Sequence, residues 1–464
     1  MLTCKNLRAI FVLTFLLFCV GCSSSSENGS GPVISSSLEL NVSESEQVKY
    51  TLVVSDSDGD VVREEWTQVS GPDVEMTGAL SFEAPQVRED EELVFEVVVT
   101  DDSGNLTRAR LVVRVIADTN IEDVAFNDDT LNECFTAEIE RNKAEATVDD
   151  AVTRWEDVGD VDQLNCLGYT INDISGVSQL KNLQRLYLGD DNSRSNLSDI
   201  TELSQLSLLK SLFLFNNEVK DITPLSSNQK LNTLHLKRMS PDSLSVLAEL
   251  KDLVFLHLID VSILDDSFLT DLTKLKSLLL DSLSLTDLQA ITNLTTIEEL
   301  RIYNTPITSL QPLENLTNIQ TLKLNFVPVG DITAISGMSG LVTLKLFGTD
   351  VSDVGVISGL TELTGVSIGK SDVSDLSPLL NLSSLKELAW NDLPITDISL
   401  LNSLPGLKKL YFADSHGVDI TPIKSLTQLD ELVIELNSSF GCPELQDLQN
   451  SLPNTVITNF LECG

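Results

Sequence analysis

From residue 209 onward the chain alternates apolar and polar positions on a fixed beat. The pattern L-x-x-L-x-L recurs with its first apolar residue at Leu209, Leu231, Leu253, Leu275, Ile297, Ile319, Leu341, Leu363, Leu385, Leu407 and Leu429, every interval being 22. Leu183 opens a copy 26 residues upstream, the extra four lying in the loop DDNSRSNLS, and Leu164 opens a shorter, imperfect one. A second ladder keeps step: Asp199, Asp221, Asp265, Asp287, Asp331, Asp353, Asp375, Asp397 and Asp419, with Ser243 and Ser309 at the two missing rungs. One such unit cannot bury its leucines alone, so the period predicts stacked units, each giving one short strand and a returning turn or short helix. Stacking shares one core and pairs the strands about 4.8 Å apart. The expected shape is a curved array with short parallel strands on its concave face.

This is the leucine-rich-repeat pattern. Its NxIxDIxxLxxLxxL form, seen in NNEVKDITPLSS and NDLPITDISLLNSL, resembles the internalin-type repeats of bacterial surface proteins over roughly residues 164–437. The resemblance implies a leucine-rich-repeat solenoid with about twelve repeats, strands inside and turns or short helices outside. The ladder asparagine of that family stands at Asn217 and Asn437 and gives way between them to Met239, Val261, Leu283, Thr305, Val327, Thr349, Ser371, Leu393 and Ser415. Buried turn amides then need other partners. The aspartate ladder is the candidate, because Asp before I-[ST]-x-L can cap the first free N–H groups of the returning turn. A calcium stripe is disfavoured, since one carboxylate per repeat supplies too few ligands.

Residues 38–117 show shorter alternations, QVKYTLVVS, ELVFEVVVTD and RARLVVRVIA, separated by the turn clusters SDSDGD and DDSGN. That is the pattern of a small antiparallel β-sandwich. The run resembles the polycystic-kidney-disease-type immunoglobulin-like domains of bacterial surfaces, and Trp66 in EWTQVSGP matches their core tryptophan. Asp56, Asp58 and Asp60 offer oxygens to calcium, but Gly59 interrupts them and no bidentate Glu follows, so a solvated hairpin turn is the expectation.

Residues 1–21 combine Lys5 and Arg8 with an apolar run from Ala9 to Val20, the form of an export signal and too short for a permanent span. The sequence CVGC resembles a lipobox with Cys22 as the acylated residue, although Cys19 stands where Leu is usual. With Ser23 rather than Asp after Cys22, the resemblance implies a lipid-anchored outer-membrane protein of the cell envelope. Residues 22–37 form a Ser/Gly-rich tether, 118–163 a linker and N-terminal helical cap, and 438–464 a C-terminal cap. Once the leader is removed, Cys134 with Cys166 and Cys442 with Cys463 remain as two pairs, read as disulfides that close the exposed ends of the solenoid.

After cleavage 28 basic residues face 70 acidic ones, a formal charge of 28 − 70 = −42. This excess excludes nucleic acid and anionic head groups as partners. No nucleophile elbow, Walker loop, HExxH or dinucleotide fingerprint is present, so neither an enzyme, a cofactor nor a metal site is expected.

Within each strand the leucines point into the core, so the fifth and seventh positions project from the concave sheet. The fifth column reads Tyr187, Phe213, His235, His257, Leu279, Arg301, Lys323, Lys345, Ser367, Ala389, Tyr411, Val433, and the seventh includes Phe215, Lys237, Tyr303 and Phe347. Six of the 21 aromatic residues of the 443-residue mature chain fall on these 24 positions, where proportion gives about one, 21 × 24/443. Basic residues outnumber acids there by four to two, the reverse of the chain as a whole. The expectation is a monomeric adhesin-like module whose concave face holds a protein or glycan ligand. Tyr187, Phe213, Phe215, Tyr303 and Phe347 would anchor it, and Lys237, Arg301, Lys323 and Lys345 would select acidic groups. His235 and His257, one rung apart, would make binding pH-sensitive. The alternatives are an envelope scaffold acting through its convex or lateral faces and, more remotely, a hydrolase of surface polymers.

Overall fold

A computed structural model describes residues 31–43, 46–77, 80–85, 87, 91–116, 121, 124–146, 158–413, 418–435 and 441–459. The expected export signal, Cys22, most of the expected tether, Asp414, Ser415, Asn437 and Cys463 lie outside them. Two compact units result, Met1–Asp118 and Thr119–Gly464.

In the first unit, four strands lie in the order Glu39–Ser43, Leu106–Ile116, Glu91–Asp101, Val61–Ser70. The last three pair antiparallel, while Glu39–Ser43 runs parallel to Leu106–Ile116. A second antiparallel pair, Gln47–Tyr50 with Leu80–Glu83, covers them. Alternation in ELVFEVVVTD buries Leu93, Phe95, Val97 and Val99, and Phe82 meets Phe95 at 5.0 Å between ring centroids. This fits an immunoglobulin-like sandwich. Trp66 departs from expectation: it sits on the edge strand, only half-buried, edge-on to Tyr50 at 6.0 Å. At SDSDGD the Asp58 N–H donates to Asp56 Oδ1 at 3.1 Å, a local Asx turn.

The second unit is a leucine-rich-repeat solenoid. Its described strands form a 14-stranded sheet in strict sequence order from Gln163–Leu167 to Val456–Asn459. Every pairing is parallel; the central rungs align Leu300 with Leu322 and Leu322 with Leu344. Short 3-10 turns such as Thr223–Ser227 and Thr333–Gly337 return the chain on the outer side. Period two does what it must: in Thr321–Asn325, Leu322 and Leu324 are fully buried and their neighbours are half-exposed.

The aspartate ladder caps these turns. The N–H two residues on donates to one carboxylate oxygen at 2.7–2.9 Å at Asp199, Asp221, Asp265, Asp287, Asp331, Asp353, Asp375, Asp397 and Asp419. Ser243 and Ser309 accept the same bond at 3.1 and 3.2 Å. The hydroxyl of the Thr or Ser two residues on, the larger cause at Asp199, Asp221 and Asp419, and its N–H, the larger cause at Asp265, Asp331, Asp375 and Asp397, together hold these carboxyls below the usual carboxylate range.

The expectation that this ladder replaces the missing asparagines needs correcting, because it satisfies different amides. Asn217 Oδ1 accepts the Val219 N–H at 3.0 Å. Where Thr305, Val327 and Leu393 stand instead, the equivalent N–H groups of Ile307, Val329 and Ile395 donate to the Thr305, Val327 and Leu393 carbonyls, each at 2.8 Å. A three-residue turn therefore does with backbone what asparagine does with a side chain.

Both ends are closed. Helix Asp129–Ala146 starts at Asp128, whose Oδ1 accepts the Leu131 N–H at 2.9 Å, while Oδ2 accepts from Asn172 and Asp173 at 2.8 and 3.1 Å. Cys134 and Cys166 form a disulfide across a Cα separation of 5.5 Å, tying that helix to the first strand. At the other end, helix Cys442–Ser451 leads into Val456–Asn459, which pairs with Glu431–Glu435.

Candidate functional site

The concave face carries three columns, not two. Period two reaches one step further back, so the third position projects as well: Arg185, Ser211, Thr233, Phe255, Ser277, Glu299, Thr321, Thr343, Gly365, Glu387, Lys409, Glu431. The same alternation that revealed the fifth and seventh columns reveals this one, and it changes the electrostatics of the face.

The first four rungs bring Tyr187, Phe213, His235 and His257 into line through the register Tyr187–Phe213 and Phe213–His235–His257. Their ring centroids follow at 4.5, 3.9 and 4.0 Å, with Phe213 and His235 stacked at 26°. Phe215 packs beside Phe213 at 5.8 Å, and Lys237 Nζ lies 5.4 Å from the Phe215 ring centroid. The loop inserted in the first full repeat folds over this part: Asp191 holds Lys237 at 2.6 Å, and its carbonyl accepts from Arg238 at 2.7 Å. Lys237 is thus committed internally.

Burial disfavours the charged form of both histidines. Burial, with the charge of His257 adding, pushes His235 down to about 3. Burial and then the Arg301 charge lower His257, against the pull of Glu299. Both shifts run downward from 6.5 and so favour the neutral rings, which counts against the expected pH-sensitive contact.

In the middle rungs, Arg301, Lys323 and Lys345 stand directly opposite one another. Glu299 is the acid among them. Its Oε1 accepts from Arg301 Nε and Nη2 at 2.8 and 2.5 Å, and Lys323 Nζ lies 3.9 Å from the same oxygen. Burial, and then the charges of Arg301 and Lys345, lower the Lys323 pKa against the pull of Glu299. Lys345 is exposed and has no ion pair among the described residues. Tyr303 lies half-buried in the seventh column, next to Asp281 and Asn325 in register.

Farther along, small residues Gly365, Ser367 and Ala389 leave a concavity of about 340 Å³, bounded by Lys345 and Tyr411. Lys409 bridges Glu387 at 3.3 Å and Glu431 at 3.8 Å on its rim. Phe347 belongs to a separate cluster at the edge, against Phe326 at 5.3 Å. The candidate residues therefore form three groups: a ring ladder, a cation ladder and an edge pair.

The eighth position takes the backbone into the left-handed region: Asn216, Arg238, Asp260, Ser282, Asn304, Phe326, Lys370 and Asp392 have φ of 45–56°, and Gly348 has 64°. Such a backbone costs a non-glycine residue roughly 1–2 kcal/mol, least for Asn and Asp. Sequence alone hides this column, because only some rungs carry the Gly, Asn or Asp that would signal it.

The class this fold defines is the leucine-rich-repeat solenoid, and its solved neighbours sharpen it. No protein-family model and no curated protein matches the chain. An internalin (inlF) of Listeria monocytogenes is similar at 25% identity and a TM-score of 0.58, covering 75% of this chain and 98% of that one. The functional domain of InlJ from the same species, described as including a cysteine ladder, is similar at 18% identity and a TM-score of 0.52, covering 74% and 70%. In the present repeats, residues 164–437, Cys166 is the only cysteine. The structural neighbours are thus internalin-type leucine-rich-repeat proteins, which supports reading the solenoid as a protein-interaction module.

Proposed function

We propose that the concave face holds an acidic protein segment, centred on Arg301, Lys323 and Lys345, and that the chain does this at the cell envelope, anchored through a lipid on Cys22. The carrying observation is the register of three cations on consecutive rungs with one carboxylate, Glu299, shared between two of them. Like charges directly opposite in a ladder destabilise a sheet. A chain with 70 acidic residues against 30 basic ones that keeps such a ladder uses it for an anion from outside.

The ring ladder favours protein over glycan. A sugar ring stacks on an open aromatic face, but Phe213 and His235 turn their faces to each other, 3.9 Å apart. What this part offers is a ridge of ring edges, suited to side-chain groups of a polypeptide.

The test is binding of the full chain to arrays of envelope and host proteins and of acidic glycans, with a Lys323→Glu/Lys345→Glu variant in parallel. Protein hits lost at least tenfold in the variant support the reading. Hits confined to glycans, or unchanged by the variant, would move the search to the convex face, where a scaffold would act. Labelling with radioactive palmitate, lost in Cys22→Ala, tests the anchor.

A further inference from the structure

Phe326 occupies the left-handed column where the other rungs carry Asn, Asp, Ser or Gly except at Arg238 and Lys370, with φ 53° and 51% of the residue exposed. Its ring has a prepared seat. It stands edge-on to Phe347, at 86°, and lies over Gly348, where an added Cβ would come within 2.6 Å of Phe326 Cδ1. Phe347 in turn uses the space above Gly369, where an added Cβ would come within 2.8 Å of its Cδ2, and Lys370 Nζ lies 5.6 Å from its ring centroid. Two glycines on successive rungs thus make room for two rings, one of which still faces solvent. Arg238 breaks the column's rule too, but it is tied down by Asp191; Phe326 has no comparable tie.

Beside Lys370 the loops form an open depression of about 780 Å³ lined by Thr349, Asp350, Ser371, Asp372 and Asp392. All three carboxylates are exposed and make no ion pair among the described residues. Thr349 is 3% exposed, and neither its Oγ1 nor Ser371 Oγ has a hydrogen-bond partner among the described residues. At the equivalent rung Thr305 Oγ1 donates to the Tyr303 carbonyl at 2.8 Å. Three acids against one cation, next to an exposed ring, complement a partner that is apolar and basic together.

We propose that Phe326, Phe347 and this acidic depression form a second interaction surface, at the edge of the concave sheet, that takes a basic protein segment with an aromatic or aliphatic side chain seated on the Phe326 ring. The surface is independent of the cation ladder, which takes the opposite charge.

Random dodecapeptides displayed on phage and selected on the full chain supply the probes. The enriched peptides should combine Lys or Arg with Phe, Trp or Leu. Synthesised and titrated, they should lose at least tenfold in affinity in Phe326→Asn and at least threefold in Asp372→Asn. They should be unchanged in Asp242→Asn, an exposed acid several rungs away. Phe326→Asn preserves the backbone, since Asn216 and Asn304 hold the same column at φ 53° and 48°. No enriched basic peptide, or enriched peptides indifferent to Phe326→Asn, overturns the proposal. So does a concentration-dependent dimer that Phe326→Asn abolishes, which assigns the surface to a second copy. Acidic ligands lost in Lys323→Glu/Lys345→Glu are a separate readout, so either proposal can fail alone.

Discussion

Lys323 Nζ lies 3.9 Å from Glu299 Oε1, on the next strand, while Arg301 already holds that oxygen at 2.5 Å. One carboxylate thus offsets two cations at a partly buried site. Glu299→Gln leaves Arg301, Lys323 and Lys345 in register with no acid, and should lower stability by roughly 1 kcal/mol, more at low salt than at high. Lys323→Gln removes the repulsion itself and should be neutral or stabilising by a few tenths of a kcal/mol. Urea titrations at two salt concentrations check both. A large loss in Lys323→Gln would mean that the lysine is structural.

The neutral histidines give a pH dependence with a definite sign. His235 titrates near 3 when folded against an ordinary 6.5, so the unfolded chain takes up its proton first. Its contribution is fully present above pH 6.5 and is lost as pH falls from there towards 3. Melting temperature should therefore drop between pH 7 and pH 4.5, and His235→Phe, which continues the stack from Phe213, should flatten the curve. An unaltered slope in that variant would place the effect elsewhere.

Much of this architecture is legible along the chain, for a physical reason. A shared core forces Leu322 and Leu324 inward on every copy, so the 22-residue beat and the projecting columns follow from alternation alone. Glu299 was equally available from that alternation, one step before Leu300. Other features do not reside in the pattern. The stacking of Phe213 on His235 depends on strand register and ring rotation, and the shift of His235 depends on what covers it. The left-handed turn at Phe326 is set by strand geometry, where a bulky residue gives no cue.

The aspartate ladder acts at lower pH. Depressed carboxyls give up their contribution as pH falls through their folded values, below the ordinary 3.8. Acid unfolding should steepen below about pH 4, where loss of the ladder bonds adds to the last part of the His235 titration. Asp199→Ala removes the oxygen that accepts the Thr201 N–H at 2.8 Å and should cost about 1 kcal/mol at neutral pH. Asp199→Asn keeps an acceptor and should recover most of that. Denaturant midpoints of the two variants decide; equal losses would assign the effect to charge rather than to the turn.

The Cys134–Cys166 disulfide spans 32 residues and joins the cap helix to the first strand. Loop closure of that length stabilises by about 3–4 kcal/mol in the chain-entropy estimate. In a linear array each unit touches only its neighbours, so the loss should stay local. Cys134→Ser should raise hydrogen exchange in Asp129–Ala146 and the strands from Gln163 to Gly189, and leave the centre near Lys323 protected. Uniform loss of protection along the array would show that the cap governs the whole solenoid.

Phe326→Asn separates strain from packing. Asparagine relieves a left-handed phenylalanine by about 1 kcal/mol, while the lost edge contact with Phe347 gives back about 0.5–1.5 kcal/mol. The two nearly cancel, so the variant should lie within about 0.5 kcal/mol of the parent. That balance distinguishes an interaction residue from a structural one. A ring retained for the fold should cost well over 1 kcal/mol on removal, whereas one retained for a partner costs the free chain almost nothing. Thermal and urea unfolding of Phe326→Asn therefore bear on the edge surface before any partner is in hand, and a loss above 1.5 kcal/mol would make Phe326 part of the scaffold.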